Sequence, residues 1–172
     1  EMKPATLRDP LGDWERLQNA LQAEYGLEGL TIDYITLTQL QKAVRAGEWK
    51  VTAFVWQNRE VIRVTPGFAE YALGLAVDVG TTTVAGFLCD LDSGRVLASE
   101  SMMNPQTPYG DDVMARITYA MTKPDGLEKM HAAIIEGLNT IVARTCETAG
   151  YQPEDIAEAV LVGNTCMDHI FL

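Results

Sequence analysis

The 172-residue chain is short of histidine, cysteine and basic side chains. Its two histidines, His131 and His169, stand far apart, and none of its three cysteines, Cys89, Cys146 and Cys166, is followed by a second at metal-ligand spacing. A zinc or iron–sulfur site built from this chain is therefore not expected. The odd cysteine count excludes a fully paired disulfide framework, and free thiols fit a reducing cytoplasm. With 13 Lys+Arg against 24 Asp+Glu the formal net charge is −11, which argues against nucleic-acid binding because phosphate neutralisation needs clustered cations. No apolar run approaches the roughly 20 residues of a membrane-spanning helix. The stretch Glu1 to Pro10 lacks the charged-then-apolar pattern of a secretory leader.

What is present is ample apolar material, 47% of residues, with 22% charged, which suits a globular chain rather than a disordered one. The acidity is unevenly distributed. Residues 1–73 hold eight basic and ten acidic side chains, whereas residues 74–172 hold five and fourteen. Two units of different charge and different element order are expected, with the boundary near Leu73.

In the first unit the spacing of Trp14, Leu17, Leu21 and Tyr25 predicts a helix capped by Asp13 and ended by Gly26. A second helix, opened by Thr36 or Thr38, carries Leu37, Leu40 and Val44 and closes at Gly47. Trp49 to Trp56 and Glu60 to Thr65 read as two strands joined by a turn at Asn58-Arg59. Trp14, Trp49 and Trp56 read as core, with an aromatic surface for docking a neighbouring domain as the alternative. The expectation is a small α+β domain of two helices plus a β-hairpin. In the second unit, Leu75 to Val79, Val84 to Leu91 and Arg95 to Ser101 read as three successive antiparallel strands. Asp111 or Asp112 then caps a helix holding Val113, Ile117 and Met121, which Pro124-Asp125-Gly126 breaks. Leu127 to Ala149 forms a longer amphipathic helix burying Met130, Ile134, Leu138, Ile141 and Val142. Ala159 to Val162 reads as a buried strand, and Asn164 starts a last helix. Met102, Met103, Met114, Met121 and Met130 read as core filler or strand edge.

The sharpest local signal is Asp78-Val79-Gly80-Thr81-Thr82-Thr83, where one strand turns directly back into the next. Glycine lets backbone N–H groups approach an anion, and three hydroxyls can donate to phosphate oxygens. An aspartate ahead of such a turn can anchor Mg²⁺ through its water shell, because Mg²⁺ keeps several waters and binds few carboxylates. Asp78 is thus the candidate catalytic residue and metal anchor, and Gly80, Thr81, Thr82 and Thr83 are the candidate phosphate contacts. A hairpin whose Gly and Thr residues only satisfy turn geometry is the alternative.

Leu75 to Leu91 with Arg95 to Ser101 resembles the first phosphate loop of the acetate and sugar kinase, heat-shock-70 and actin superfamily. More narrowly, Asn104-Pro105-Gln106, Tyr109-Gly110-Asp111-Asp112-Val113 with Arg116-Ile117, and Gly163-Asn164-Thr165 with Met167 and His169 resemble the reductive activators of corrinoid proteins. The likeness covers about residues 74–172. It implies an α/β fold in which those residues are the first half of an actin-like, ribonuclease H-like ATPase domain. Residues 1–73 are similar to the small middle domain that precedes it. It also implies an ATP- and Mg²⁺-dependent enzyme that restores a corrinoid cofactor from Co(II) to Co(I). The partners implied are a corrinoid protein and an electron donor such as a ferredoxin, and the sequence leaves a homodimer open. The [2Fe–2S] domain usual in that family, the second phosphate loop and the adenosine loop have no counterpart in these residues, so the chain reads as an internal fragment.

Asn104, Gln106 and Arg116 are candidates to line the cleft opposite the phosphate loop, with helix capping and loop fixing as the alternative. Asn164 reads first as a helix cap and second as a site residue. Two other functions stand beside the activator. One is a small-molecule kinase of the same superfamily, although no isolated Asp stands out as its base. The other is a non-catalytic interaction module with an acidic docking face.

Overall fold

Helix α1 (Asp13–Tyr25) opens the computed structural model, which describes residues 1–172. The helix is not capped by Asp13. Gly12 occupies the N-cap, and the Asp13 carboxylate instead accepts a hydrogen bond from Arg45 at 3.1 Å, tying α1 to the next helix. Gly26 ends α1 in the left-handed conformation expected of a glycine C-cap. A two-residue strand, β1 (Thr31–Ile32), follows, then α2 (Tyr34–Ala46), β2 (Val51–Trp56) and β3 (Glu60–Pro66). The sheet order is β1-β3-β2, with β1 parallel and β2 antiparallel to β3.

Helix α2 is capped by Asp33, whose side chain accepts from the Thr36 N–H. Thr36 is itself buried, and its hydroxyl donates to the Ile62 carbonyl at 2.6 Å. The β2–β3 turn centres on Gln57 and Asn58, both at positive φ, one residue earlier than the sequence suggests. Two positive φ values match the twist of a tight hairpin. Leu17, Leu21, Leu40, Val44, Val61 and Val64 form the core of this unit, while Tyr25 and Leu37 face solvent. Trp14 packs against the core, Trp56 is exposed, and Trp49 lies under the guanidinium of Arg45 at 4.3 Å.

The chain divides into units Glu1–Glu70 and Tyr71–Leu172. The second unit runs β4 (Leu73–Val79), β5 (Thr83–Asp90), β6 (Val96–Met103), α3 (Val113–Thr122), α4 (Gly126–Ala149), β7 (Ile156–Gly163) and α5 (Thr165–Phe171). Its sheet has the order β6-β5-β4-β7, with β4, β5 and β6 antiparallel in succession and β7 parallel to β4. Leu75, Val77 and Val79 alternate along β4 and pack under Met130, Ile134, Leu138 and Ile141 of α4. A Cβ on Gly86 would clash with Ile141, so a glycine in β5 lets the helix close onto the sheet.

Two readings of this unit change. Met114 and Met121, expected as core filler or strand edge, lie on the solvent side of α3. The helix's one buried side chain is Arg116, and Met114 and Met121 are 68% and 82% exposed. Strand β7 is an edge strand whose Val160 and Val162 face outward, 53% and 56% exposed. Met130 is fully buried as expected, whereas Met103 is exposed. No helix is long and apolar enough to cross a membrane.

The register sets the position of the site. Val79 pairs with Val84 across the β4–β5 hairpin and with Gly163 of β7. The Gly80 turn and the start of α5 therefore emerge at one edge, outside the carboxyl ends of two parallel strands, where open α/β sheets place their ligands.

Candidate functional site

The turn from Gly80 to Thr83 is tight. A Cβ at position 80 would stand 2.5 Å from the Thr83 carbonyl oxygen, so the turn can close only around glycine. Its three carbonyls are all held from within the protein. Asn104 Nδ2 donates to Gly80 O at 2.7 Å, Arg116 Nη2 donates to Thr81 O at 2.5 Å, and the Asn104 backbone N–H donates to Thr82 O at 2.7 Å. In a planar trans peptide the C=O and the following N–H point in opposite directions. The N–H groups of Thr81 and Thr82 are thereby directed away from Asn104 and Arg116, and neither has an acceptor in the chain. Two successive outward N–H groups, followed by the exposed side chains of Thr82 and Thr83, make an anion-binding concavity.

Asp78, the penultimate residue of β4, is exposed, and its carboxylate has no hydrogen-bonding or ionic partner in the chain. It lies opposite Ala85 of β5 and Val162 of β7. Asn164 closes the other side of the turn. Its Oδ1 accepts from the Cys166 and Met167 N–H groups, capping α5, while its Nδ2 donates to Thr81 Oγ1 at 3.1 Å. One side chain therefore both caps a helix and touches the turn. The accepting oxygen of Thr81 keeps its own hydroxyl proton to give elsewhere.

Behind the turn lies a buried polar layer. Asn104 is 1% exposed and Gln106 and Arg116 are fully buried. Asn104 Oδ1 accepts from the Gln106 N–H, Gln106 Nε2 donates to the Met130 carbonyl in α4, and Gln106 Oε1 accepts from Arg116 Nη1 at 3.2 Å. Arg116 Nε reaches Gly110 O at 3.0 Å, and its Nη1 also lies 3.0 Å from the thioether of Met167. Gly110 presses against the first turn of α3, where a Cβ would stand 2.7 Å from the Arg116 nitrogen. Asp112 caps that helix through the Ala115 N–H at 2.7 Å. Burial pulls the Arg116 pKa down from its ordinary value, and burial pushes the Cys166 thiol up.

Asp78, Gly80, Thr81, Thr82, Thr83, Asn104, Gln106, Arg116 and Asn164 thus gather around one turn. His169 is exposed and makes no polar contact with the set. Met167, a buried thioether against Arg116 and Asn104, is the participant that residue type alone does not announce. No three His, Cys, Asp or Glu side chains converge as a metal cluster. An exposed carboxylate without a partner beside outward N–H groups is the donor set that suits hydrated Mg²⁺ with a polyphosphate.

A family model described as RACo middle region matches residues 73–172, and one described as RACo linker region matches residues 1–71. The chain belongs to the RACo family. The description "middle" falls on the second unit and "linker" on the first. Among RACo relatives, corrinoid activation enzyme RamQ of Eubacterium limosum is 43% identical over 99 residues, which are 58% of this chain and 17% of that protein. A solved structure of a reductive activator for corrinoid, iron–sulfur protein superposes with a TM-score of 0.78 at 34% identity. It covers 99% of this chain and 28% of its own. The chain therefore spans less than a third of the RACo proteins it matches.

Proposed function

We propose that this chain is part of an ATP-dependent reductive activator that returns the corrinoid cofactor of a methyltransferase or O-demethylase corrinoid protein from Co(II) to Co(I). In this reading residues 74–172 begin an actin-like, ribonuclease H-like ATPase domain, and the Gly80 turn grips the nucleotide's phosphates. The observation that carries it is the pair of unpartnered, outward-directed N–H groups on Thr81 and Thr82. The RACo membership and the names of the two relatives support the reaction class.

Each residue has a role in this reading. Thr81 and Thr82 N–H groups and the Thr82 and Thr83 hydroxyls donate to phosphate oxygens, and Asn164 fixes the Thr81 hydroxyl. Asp78 holds Mg²⁺ through its water shell. When bound, the metal neutralises charge on the phosphate oxygens, and the protein's share of such chemistry is positioning and electrostatics. Reducing Co(II) is uphill for a mild donor, so nucleotide-driven closure of two halves supplies the work through contacts made in one state only. The electron donor, such as a ferredoxin, and the [2Fe–2S] group are assigned to parts outside these residues, and a homodimer is compatible with the reading.

Calorimetric titration with Mg-ATP tests it. The full-length parent is expected to bind, and the 172-residue chain to bind weakly or not at all, because one phosphate loop forms only part of the site. A parent protein that does not bind Mg-ATP overturns the reading.

A further inference from the structure

The charge of Arg116 has no obvious use within the chain. The guanidinium is fully buried on α3, yet all four of its acceptors are uncharged: Gly110 O, Gln106 Oε1, Met167 Sδ and Thr81 O. Guanidinium stays protonated in proteins, so a full positive charge lies behind the turn with no ion pair to balance it. Cys166, Asp111 and Asp112 act on it only through space; burial keeps the Cys166 thiol from ionising readily, and the two aspartates are exposed. Asp112 already spends an oxygen on capping α3. Holding a loop would not require a cation, since an amide can donate to a carbonyl, as Asn104 does to Gly80 O.

We infer that Arg116 is a positioning residue for the phosphate turn: it draws the Thr81 carbonyl inward, turns the Thr82 N–H outward, and places an unneutralised charge behind that peptide for an incoming polyphosphate to balance. The inference rests on the proposed nucleotide site and assigns a residue that does not touch the nucleotide. The peptide between Thr81 and Thr82 is the link. With its oxygen held by Arg116 it cannot rotate to present that oxygen to an anion, and its dipole is polarised in the direction that favours negative charge outside. A buried cation attracts an anion across a short path of low polarisability far more strongly than a surface cation does.

The test uses the full-length parent, with Mg-ATP affinity from calorimetry and the thermal midpoint measured without nucleotide. Arg116→Met removes the charge at similar volume, and Arg116→Lys keeps it with fewer donors. The expected result is a loss of about tenfold or more in Mg-ATP affinity for the Met variant, the size of one charge-assisted interaction. The Lys variant should stay within about threefold of wild type, even though both variants lower the thermal midpoint. A folded Met variant that binds Mg-ATP like wild type overturns the inference. If the Met variant does not fold, the Lys variant decides: retained affinity supports the charge role, and affinity lost from a folded protein overturns it. If neither folds, the residue serves the fold alone and the inference fails. Wild-type protein that does not bind Mg-ATP marks the failure of the functional reading instead.

Discussion

Asn104 clamps Gly80 from one side of the turn and Thr82 from the other. Its side-chain amide donates to Gly80 O and its backbone N–H to Thr82 O, both at 2.7 Å. One buried residue just after β6 thus holds two of the three carbonyls on the residues between β4 and β5. The arrangement makes Asn104 a sensitive position for both folding and binding.

Asn104→Ala leaves the Gly80 carbonyl and the Gln106 N–H without side-chain partners in a buried setting. The expected cost is about 1–3 kcal/mol of unfolding free energy, read from denaturant titration. Asn104→Asp should cost more, because it replaces the donor facing Gly80 O with a second acceptor.

Asp78→Asn in the full-length parent should abolish Mg-ATP-dependent Co(I) formation, followed by the corrinoid absorbance. The side chain is exposed and makes no hydrogen bond or ion pair, so stability should change by no more than about 0.5 kcal/mol. Unchanged Co(I) formation would remove Asp78 from the site.

In the first unit, Asp9 accepts a hydrogen bond from the buried Arg16 at 2.9 Å, and this bond holds its carboxyl below the ordinary value of 3.8. A depressed carboxylate stabilises the fold above its unfolded-state pKa, and that contribution is lost as pH falls through the lower, folded value. Asp9→Asn should therefore lower the denaturant midpoint at pH 6 and shrink the difference between midpoints at pH 6 and pH 3. An unchanged difference would show that the pair does not couple to folding.

Ile134 is fully buried in α4 against β4 and β5. Ile134→Ala should cost about 2–5 kcal/mol, the range for deleting a core aliphatic side chain. The control Met121→Glu, at an exposed position on α3, should leave stability nearly unchanged and reduce any concentration-dependent scattering of the 172-residue chain.

The long helix α4 was legible because Met130, Ile134, Leu138 and Ile141 repeat at helical spacing and nothing competes for them. The inward face of α3 is harder to read from sequence, for the opposite reason. Val113, Ile117 and Met121 repeat in the same way, but the face that turns inward is chosen by four acceptors on other elements that capture Arg116. The cap of α2 was misplaced because the Thr36 hydroxyl is taken by Ile62, 26 positions away. At the site, glycine and threonine announced the turn. The direction of its peptides did not appear in that run, since it is set by Asn104 and Arg116, 24 and 35 positions from their acceptors. Asn164 was legible as a cap but not as the donor to Thr81, a contact made only when β7 lies parallel beside β4.

Helix α4 shields one side of the β6-β5-β4-β7 sheet, while Phe87, Val160 and Val162 on the other side stay wet, and Asp78 shares their rim. Any layer laid over that bare side would strip water from the hydrocarbon and from the carboxylate together. A drier carboxylate pulls harder on a cation, so if Asp78 anchors magnesium as proposed, covering the apolar strip and tightening that grip would be a single event.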